Sequence, residues 1–246
     1  MNIQVIPTVM EARTEELHHK TVVVIDVLRA TSTLLTALVN GCKEVIPTET
    51  VNGAKSLQQE GDLLGGERGC KKIPGFDLGN SPLEYEPAAV TGKRIILTTT
   101  NGTRAIQKAG KISRILVGSL LNARACAARA MECGGELVIL CSGTQDVFSL
   151  EDGLCAGAIL DELIQIAGGA EPDNAQTSFK VNDFGLGMLY AYRGVRDRLT
   201  ETLLASANGK RLTKLGCRED VLYCAQRNTI GIAPEVRGGK VEALTV

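Results

Sequence analysis

The stretch TVVVIDVLRATSTLLTALVNG, residues 21–41, decides the fold class. Its four consecutive β-branched residues, 22–25, predict a strand buried on both faces, because a half-exposed strand would alternate apolar and polar residues. Leucine and valine at helical spacing over 34–39 predict a following helix, with N-cap hydroxyls at Thr31–Thr33 and Gly41 placed to end it. The stretch is therefore a strand-turn-helix unit.

The same design recurs three times, over residues 94–110, 114–134 and 136–164. Strands that alternate with helices are typical of parallel sheets covered by helices on both faces. We predict an α/β fold with three layers, α/β/α, in which repeated βα units build a mostly parallel sheet. Weaker strands are predicted at 44–48 and 62–66, on either side of a helix near 51–60.

The C-terminal third predicts a smaller α+β portion. Helical patterns run to about residue 205 and again over 218–226, and the tail resembles two short strands joined by the Gly238-Gly239 turn. We predict one domain over 1–246, and any division into subdomains would fall in the linker-like segment near 170–183.

Composition and charge narrow the function classes. The formal net charge is -1, from 27 basic and 28 acidic residues, so no overall field favours nucleic acid or an anionic membrane. Aromatic residues are 3% of the chain and tryptophan is absent, which argues against base stacking. The N-terminus does not resemble a signal peptide and no apolar run has membrane-spanning length, so we expect a cytoplasmic protein with reduced cysteines.

Polar residues follow several of the predicted strands. Asp26 and Arg29 end the first, Thr98–Asn101 with Gly102 end another, and Ser142 follows a third. Ligands of open parallel sheets bind outside the carboxyl ends of the strands, where helix N-termini can hold anions. We predict an anion site at this edge, while an Asp26 to Arg29 salt bridge and a simple turn capped by Asn101 stay open as alternatives.

Two further segments carry candidate side chains. Residues 65–82, GGERGCKKIPGFDLGNSP, predict a long irregular loop suited to cover a polar site. Glu151 and Asp152 begin a helix, where they either favour the helix dipole or contribute to metal binding or catalysis. No GxxxxGK[ST] motif is present, which excludes a P-loop, and the only histidines are His18 and His19, which argues against histidine-based chemistry.

Four motifs occur in an order that resembles one known family. They are VVVIDVLRATST (22–33), GGERGCKKIPGFDLGNSP (65–82), TTTNGT (98–103) and EDGLCAGA (151–158). Together they are similar to the 2-phosphosulfolactate phosphatase family, the magnesium-dependent hydrolases of coenzyme M biosynthesis. The resemblance implies that 2-phospho-3-sulfolactate, a small anionic phosphorylated substrate, is hydrolysed to sulfolactate and inorganic phosphate with Mg²⁺.

The resemblance also implies roles for individual residues. The implied catalytic residues are Asp26, Arg29, Glu67 and Arg68. Magnesium would be held by Asp26 together with one or more of Glu67, Asp77, Glu151 and Asp152, since hard oxygen ligands suit this ion. The implied substrate-binding residues are Asn80, Ser81, Thr100, Asn101, Gly102 and Ser142.

Two hypotheses compete with the phosphatase. The same strand-end edge could hold an anion or nucleotide without chemistry, and the apolar surface of the C-terminal third could form a homodimer. Phosphate release that requires Mg²⁺ and Asp26 discriminates the enzyme from a binding protein.

Overall fold

The computed structural model describes residues 1–109, 114–169, 172 and 179–243, and it confirms the α/β fold with helices on both faces of a large sheet. The strands are β1 (Asn2–Ile6), β2 (Thr21–Ile25), β3 (Glu44–Thr48), β4 (Leu63–Arg68), β5 (Lys71–Lys72), β6 (Arg94–Thr98), β7 (Arg114–Gly118), β8 (Leu137–Cys141), β9 (Lys180–Val181), β10 (Glu235–Arg237) and β11 (Lys240–Glu242). The helices are α1 (Thr14–Leu17), α2 (Ala30–Val39), α3 (Val51–Leu57), α4 (Pro87–Val90), α5 (Gly102–Ala109), α6 (Ala123–Cys133), α7 (Leu150–Ile166), α8 (Asp183–Val195), α9 (Leu199–Ala205), α10 (Ala207–Lys214) and α11 (Arg218–Cys224). Short 3-10 helices lie at Pro82–Glu84, Leu120–Asn122 and Arg196–Arg198.

In the described residues the strands form one sheet, in the order β5, β4, β6, β3, β11, β10, β7, β2, β8, β1, β9. One parallel group contains β4, β6 and β3, and a second contains β7, β2, β8, β1 and β9. The C-terminal hairpin of β10 and β11 joins the two groups through antiparallel pairs. The predicted hairpin is confirmed, and it occupies the middle of the sheet.

Strand β2 shows why the molecule has three layers. All five of its residues are buried, as the β-branched run predicts. Val22 and Val24 belong to a core shared with α2 and α5, whereas Val23 and Ile25 belong to a core shared with α6 and α7. Successive side chains of a strand point to opposite faces, so a continuous apolar run requires a helical layer on each side.

The turn after β2 differs from the prediction in one respect. Helix α2 begins at Ala30, so Thr31–Thr33 lie inside its first turn and do not cap it. The Thr31 hydroxyl instead donates to the backbone oxygen of Asp26 at 2.8 Å and accepts from the Asp26 N–H at 3.0 Å. The prediction for the helix end is confirmed, because Gly41 follows the C-cap with a φ of +90°.

The segment 65–82 is less irregular than predicted. Gly65–Arg68 continue β4, which pairs in parallel with β6, and the chain then turns back as β5. Pairing with a neighbouring strand supplies the backbone hydrogen bonds that a glycine-rich sequence does not predict. Ile73 and Phe76 are buried against Leu64 and Ile96, and they anchor the remainder of the segment.

The C-terminal portion holds two further differences. Helix α10 is absent from the prediction, although Ser206 caps it by accepting from the Gly209 N–H at 3.0 Å. Most of the predicted linker at 170–183 lies outside the described residues, but Lys180–Val181 form β9 beside β1 and Asp183 begins α8. Over the described ranges, none of the helices combines the length and apolar character that a membrane crossing requires.

Candidate active site

The ends of β2, β4, β6 and the start of α7 meet at one place. The N–H of Gly102, after β6, hydrogen-bonds to the Asp26 carboxylate after β2, and Thr100 bonds to Glu67 at the end of β4. Residues after β2, β4 and β6 are therefore close together, as the sequence predicts for this edge.

Asp26 is buried and held by the first turn of α2. The Ala30 N–H donates to its Oδ1 at 3.1 Å. Burial, together with the negative charges of Glu67 and Glu151, raises the pKa of Asp26 to about 7, although the amides of Ala30 and Gly102 oppose the shift. Asp26 therefore lies among like charges and has no cationic partner in the described ranges, which is the environment of a metal ligand or a protonated acid.

Gly102 allows α5 to approach this carboxylate closely. A Cβ at position 102 would lie 2.6 Å from the Ala30 Cβ and 2.8 Å from Asp26 Oδ2. Real Cβ atoms do not come so near, so only glycine fits between the starts of α2 and α5. The predicted substrate-binding role of Gly102 remains a prediction, and the structure places its amide on Asp26.

Glu67 is buried and fully oriented by donors from two segments. Its Oε1 accepts from the N–H and the hydroxyl of Thr100, both at 2.9 Å, and its Oε2 accepts from the Cys70 N–H at 2.7 Å. Three hydrogen bonds to one carboxylate restrict it to a single rotamer. The structure thus brings Glu67 and Thr100 together with Asp26.

Glu151 and Asp152 are both buried in the first turn of α7. Asp152 accepts from the Val27 N–H at 2.9 Å and the Gly143 N–H at 3.1 Å, so both of its oxygens are occupied. Burial, and then the charges of Asp26 and Glu151, raise the pKa of Asp152. Glu151 Oε1 accepts from the side-chain amide of Asn208 at 2.5 Å. Asp152 therefore orients the loops at Val27 and Gly143. The second carboxylate oxygen of Glu151 has no hydrogen bond to the described residues, so it is available to a ligand.

The donor set suits a hard divalent cation. Among the described residues no three His, Cys, Asp or Glu side chains stand as an assembled metal site. Mg²⁺ commonly takes only one or two carboxylates and completes its shell with water and substrate phosphate. Asp26, Glu67 and Glu151 are buried acids that repel one another electrostatically, and a cation would offset that repulsion. The chemistry of these acids fits an ion that takes one or two of them as ligands, as Mg²⁺ does.

Arg29 is buried and faces a partner that the sequence analysis missed. Its guanidinium donates to Asp220 of α11 and to the Cys70 carbonyl, the latter at 3.2 Å. The other oxygen of Asp220 accepts from the Ser81 hydroxyl at 2.7 Å. The Asp26 to Arg29 salt bridge considered as an alternative does not form. Ser81 instead belongs to the Arg29 and Asp220 network.

Two buried polar atoms near these acids have no hydrogen-bond partner in the described part of the chain. They are Oδ1 of Asn80 and Oγ of Ser142. Asn80 lines the pocket described below, and the Ser142 N–H donates to the Ile25 carbonyl at 2.8 Å, directly beside Asp26. Buried polar atoms are normally satisfied, so both side chains are placed to bind a ligand or water.

Arg68 and Asp77 do not join the cluster. Arg68 donates to the carbonyls of Glu67 and Glu49, at 2.7 and 2.6 Å, and to the Thr98 hydroxyl at 3.0 Å. Asp77 accepts from the Leu64 N–H at 2.8 Å, near the opposite end of β4 from Glu67. Both side chains stabilise the backbone around β4 in this arrangement.

A pocket that opens to solvent lies beside Glu67 of this cluster. Its lining includes the predicted residues Arg29, Glu67, Asn80, Thr100 and Asn101. It also includes Asn208 and Arg211 of α10, which the sequence analysis missed together with Asp220. The Ser206 N-cap could have revealed α10, but no local pattern indicates which face of that helix meets a site so distant in the chain.

Comparison with known proteins gives a consistent assignment. A profile described as 2-phosphosulpholactate phosphatase matches residues 6–239. The chain is 44% identical over 234 residues to a probable 2-phosphosulfolactate phosphatase of Symbiobacterium thermophilum, covering 94% of this chain and 97% of that protein. Proteins described in the same words from Caldanaerobacter subterraneus and Clostridium novyi are 40% and 37% identical, with at least 98% of each chain covered. Because the matched residues span every element that contributes a side chain to the site, from β2 to α11, the chain belongs to the 2-phosphosulfolactate phosphatase family.

Proposed function

We propose that this protein is a Mg²⁺-dependent phosphatase that hydrolyses 2-phospho-3-sulfolactate to sulfolactate and inorganic phosphate. The observation that carries the proposal is a cluster of buried acids, in which the charges of Glu67 and Glu151 act on Asp26, and Glu67 lines the same pocket as buried Arg29. Acids that repel one another suit a cation, and a guanidinium beside them suits a phosphoryl group. Family membership supplies the substrate class.

The carboxylates would hold the metal in this proposal. Asp26, Glu67 and Glu151 are the candidate ligands, and Asp152 fixes the loops at Val27 and Gly143 through its two amide contacts. Bound Mg²⁺ would polarise the phosphoryl group and lower the pKa of a bound water. The Thr100 and Cys70 donors hold Glu67 in one orientation, so the site is organised before substrate arrives.

The remaining side chains would bind and orient the phosphate ester. Arg29 would stabilise charge on the phosphoryl oxygens, and Asp220 and the Cys70 carbonyl restrict its guanidinium to one position. Asn80 and Asn101 line the same pocket, and Ser142 carries an unpartnered hydroxyl. In-line attack by water would form a P–O bond to the water oxygen and break the bond to the ester oxygen, and a proton from the water would pass to the departing sulfolactate oxygen.

The proposal is tested by phosphate release from phosphosulfolactate, phospholactate and phosphoglycerate, each with Mg²⁺ and with EDTA. We expect turnover that is highest on phosphosulfolactate, that stops with EDTA, and that is lost in Asp26→Asn. Metal-independent turnover would contradict the Mg²⁺ requirement. Tight binding of all three esters without phosphate release would favour the non-catalytic binding protein instead.

Cytoplasmic location, a homodimer and the absence of a nucleic-acid role stay predictions. Light scattering coupled to size exclusion measures the oligomeric state directly. A monomer at micromolar concentration would contradict the homodimer.

A further inference from the structure

The charged side chains that line the pocket differ in whether other residues already pair with them or donate hydrogen bonds to them. In the described part of the lining these are Arg29, Glu67 and Arg211. Arg29 is paired with Asp220, and Glu67 is bonded to Thr100 and Cys70. The Arg211 side chain forms no ion pair and no hydrogen bond within the described part of the chain. It is therefore the cation of the lining that remains available to a ligand.

Arg211 is held at a defined distance from the acid cluster by helix α10. Asn208, three residues earlier, donates to Glu151 Oε1 at 2.5 Å and to the Thr144 hydroxyl at 2.7 Å. Residues three apart on a helix have Cβ atoms about 5–6 Å apart. Asn208 fixes the deep end of α10 at Glu151, and Arg211 lies one turn further along the same face. Its Nη2 approaches Gly69, where an added Cβ would lie 4.0 Å away.

This arrangement separates two anion positions. The phosphate would bind beside Asp26, Glu67 and Glu151, because these acids would hold Mg²⁺, an ion that commonly takes phosphate oxygens as ligands. The substrate of the proposed function carries a second strong anion, the sulfonate, on the neighbouring carbon. A spacing of one helical turn between Asn208 and Arg211 is of the same order as the separation of these two groups in a three-carbon acid.

We propose, resting on the proposed function, that Arg211 binds the sulfonate of the substrate and determines selectivity for sulfonated over unsulfonated phosphate esters. A guanidinium presents paired N–H donors in a plane, and two of them can meet two oxygens of one tetrahedral anion. Arg68 cannot serve in this way in the observed conformation, since its donors are bonded to Glu67, Glu49 and Thr98. The carboxylate of the substrate is left to the neutral donors of the pocket.

The test compares kcat/KM for 2-phosphosulfolactate and 2-phospholactate, which share phosphate and carboxylate and differ in the sulfonate. Arg211→Gln is expected to lower the ratio of the two values about 10- to 100-fold, the usual range for a lost hydrogen-bonded charge. Arg211→Lys keeps the positive charge but loses the paired N–H donors of the guanidinium. Its ratio is expected to lie between those of wild type and Arg211→Gln. Lys210→Gln removes a charge from the exposed side of the same helix and is expected to keep the ratio.

A second measurement is independent of turnover. Titration calorimetry with sulfolactate and with lactate, both in the presence of Mg²⁺, gives the affinity ratio for wild type and Arg211→Gln, and the same 10- to 100-fold fall is expected. Equal losses on the sulfonated and unsulfonated ligands would overturn the sulfonate assignment and place Arg211 on the carboxylate or phosphate. If wild type turns over neither ester, the proposed function fails, whereas an active wild type with an unchanged ratio in Arg211→Gln sinks only this inference.

Discussion

The guanidinium of Arg29 is paired with Asp220, which lies 191 residues further along the chain, and not with Asp26 three residues before it. The two paired side chains are only 4% and 6% exposed. The pair ties the start of α2 to α11, and Asp220 extends the contact to Ser81. Because Arg29 does not pair with Asp26, its charge does not offset the burial and the neighbouring acids that raise the pKa of Asp26.

Removal of Asp220 is expected to destabilise the fold. Asp220→Ala leaves Arg29 buried without its counter-ion, and breaking a buried pair in this way costs about 3–5 kcal/mol in the free energy of unfolding. Urea unfolding measured by circular dichroism gives the change. We expect the same variant to lose phosphatase activity, because the Arg29 guanidinium no longer has a fixed position.

The neighbouring acid Glu219 provides a matched control. It pairs with Arg218 at 3.4 Å, but these side chains are 70% and 53% exposed. Exposed pairs contribute about 0–1 kcal/mol, so Glu219→Ala should leave the unfolding free energy within that margin. A comparable loss in both variants would show that α11 responds to any lost charge and would remove the special role of the buried pair.

The raised pKa of Asp26 predicts how pH affects the metal-free protein. The ordinary value is 3.8 and burial, with the acids around it, raises the pKa to about 7. Between these values the folded state binds a proton that the unfolded state does not, so stability falls as pH rises. The contribution of Asp26 is complete below the ordinary value and is lost through about pH 7. Urea unfolding in EDTA at several pH values measures the slope, which Asp26→Asn should reduce.

Mg²⁺ binding is expected to show the opposite pH dependence. A proton on Asp26 competes with the cation, so the dissociation constant should rise about tenfold for each pH unit below 7. Calorimetry at pH 6, 7 and 8, in buffers of different ionisation enthalpy, measures both affinity and released protons. Affinity that is independent of pH over this range would remove Asp26 from the ligand set.

Predictions from the sequence are most accurate where a local residue pattern has a single physical explanation. The β-branched run of β2 requires burial on both faces, and the polar residues after β2 and β6 do meet at one edge of the sheet. The segment 65–82 contributes Glu67 and Asn80 to the pocket. Its first residues form part of strand β4 and not an irregular loop, because they pair with β6.

Contacts between distant parts of the chain could not be predicted in the same way. The Asp26 to Arg29 pair was a sound local alternative, but the deciding partner, Asp220, comes from a helix far along the sequence. The same is true of Asn208 and Arg211, since the spacing of residues in α10 does not encode what lies opposite it. Arg68 and Asp77 are residue types that bind phosphate and metal ions. Their side chains bond instead to backbone atoms around β4, a contact that the residue types alone do not predict.

Glycine at position 102 should not tolerate a side chain. In Gly102→Ala the new Cβ would meet Ala30 Cβ at 2.6 Å and Asp26 Oδ2 at 2.8 Å, so α5 and α2 must separate. We expect loss of most phosphatase activity and a lower melting temperature, since overpacking of this kind costs about 1–3 kcal/mol. Thermal unfolding and phosphate release measure the two effects.

The control for Gly102 is Gly187, inside helix α8, where an added Cβ meets nothing within 4 Å. Alanine is favoured over glycine in helix interiors by about 0.5–1 kcal/mol, so Gly187→Ala should raise the melting temperature slightly. If Gly102→Ala behaved like this control, close packing of α5 against Asp26 would not be a requirement of the site.

The Thr100 hydroxyl should matter through Glu67. Thr100→Val keeps the side-chain shape and the backbone N–H but removes one of the two donors to Glu67 Oε1, both at 2.9 Å. Groups that orient a metal ligand typically change metal affinity or activity about 10- to 100-fold, and we expect a loss of Mg²⁺ affinity in that range. Thr100→Ser restores a hydroxyl and should recover most of the affinity, as calorimetry can measure. If valine and serine variants lost affinity equally, the cause would be altered packing at the end of β6 and not the hydrogen bond to Glu67.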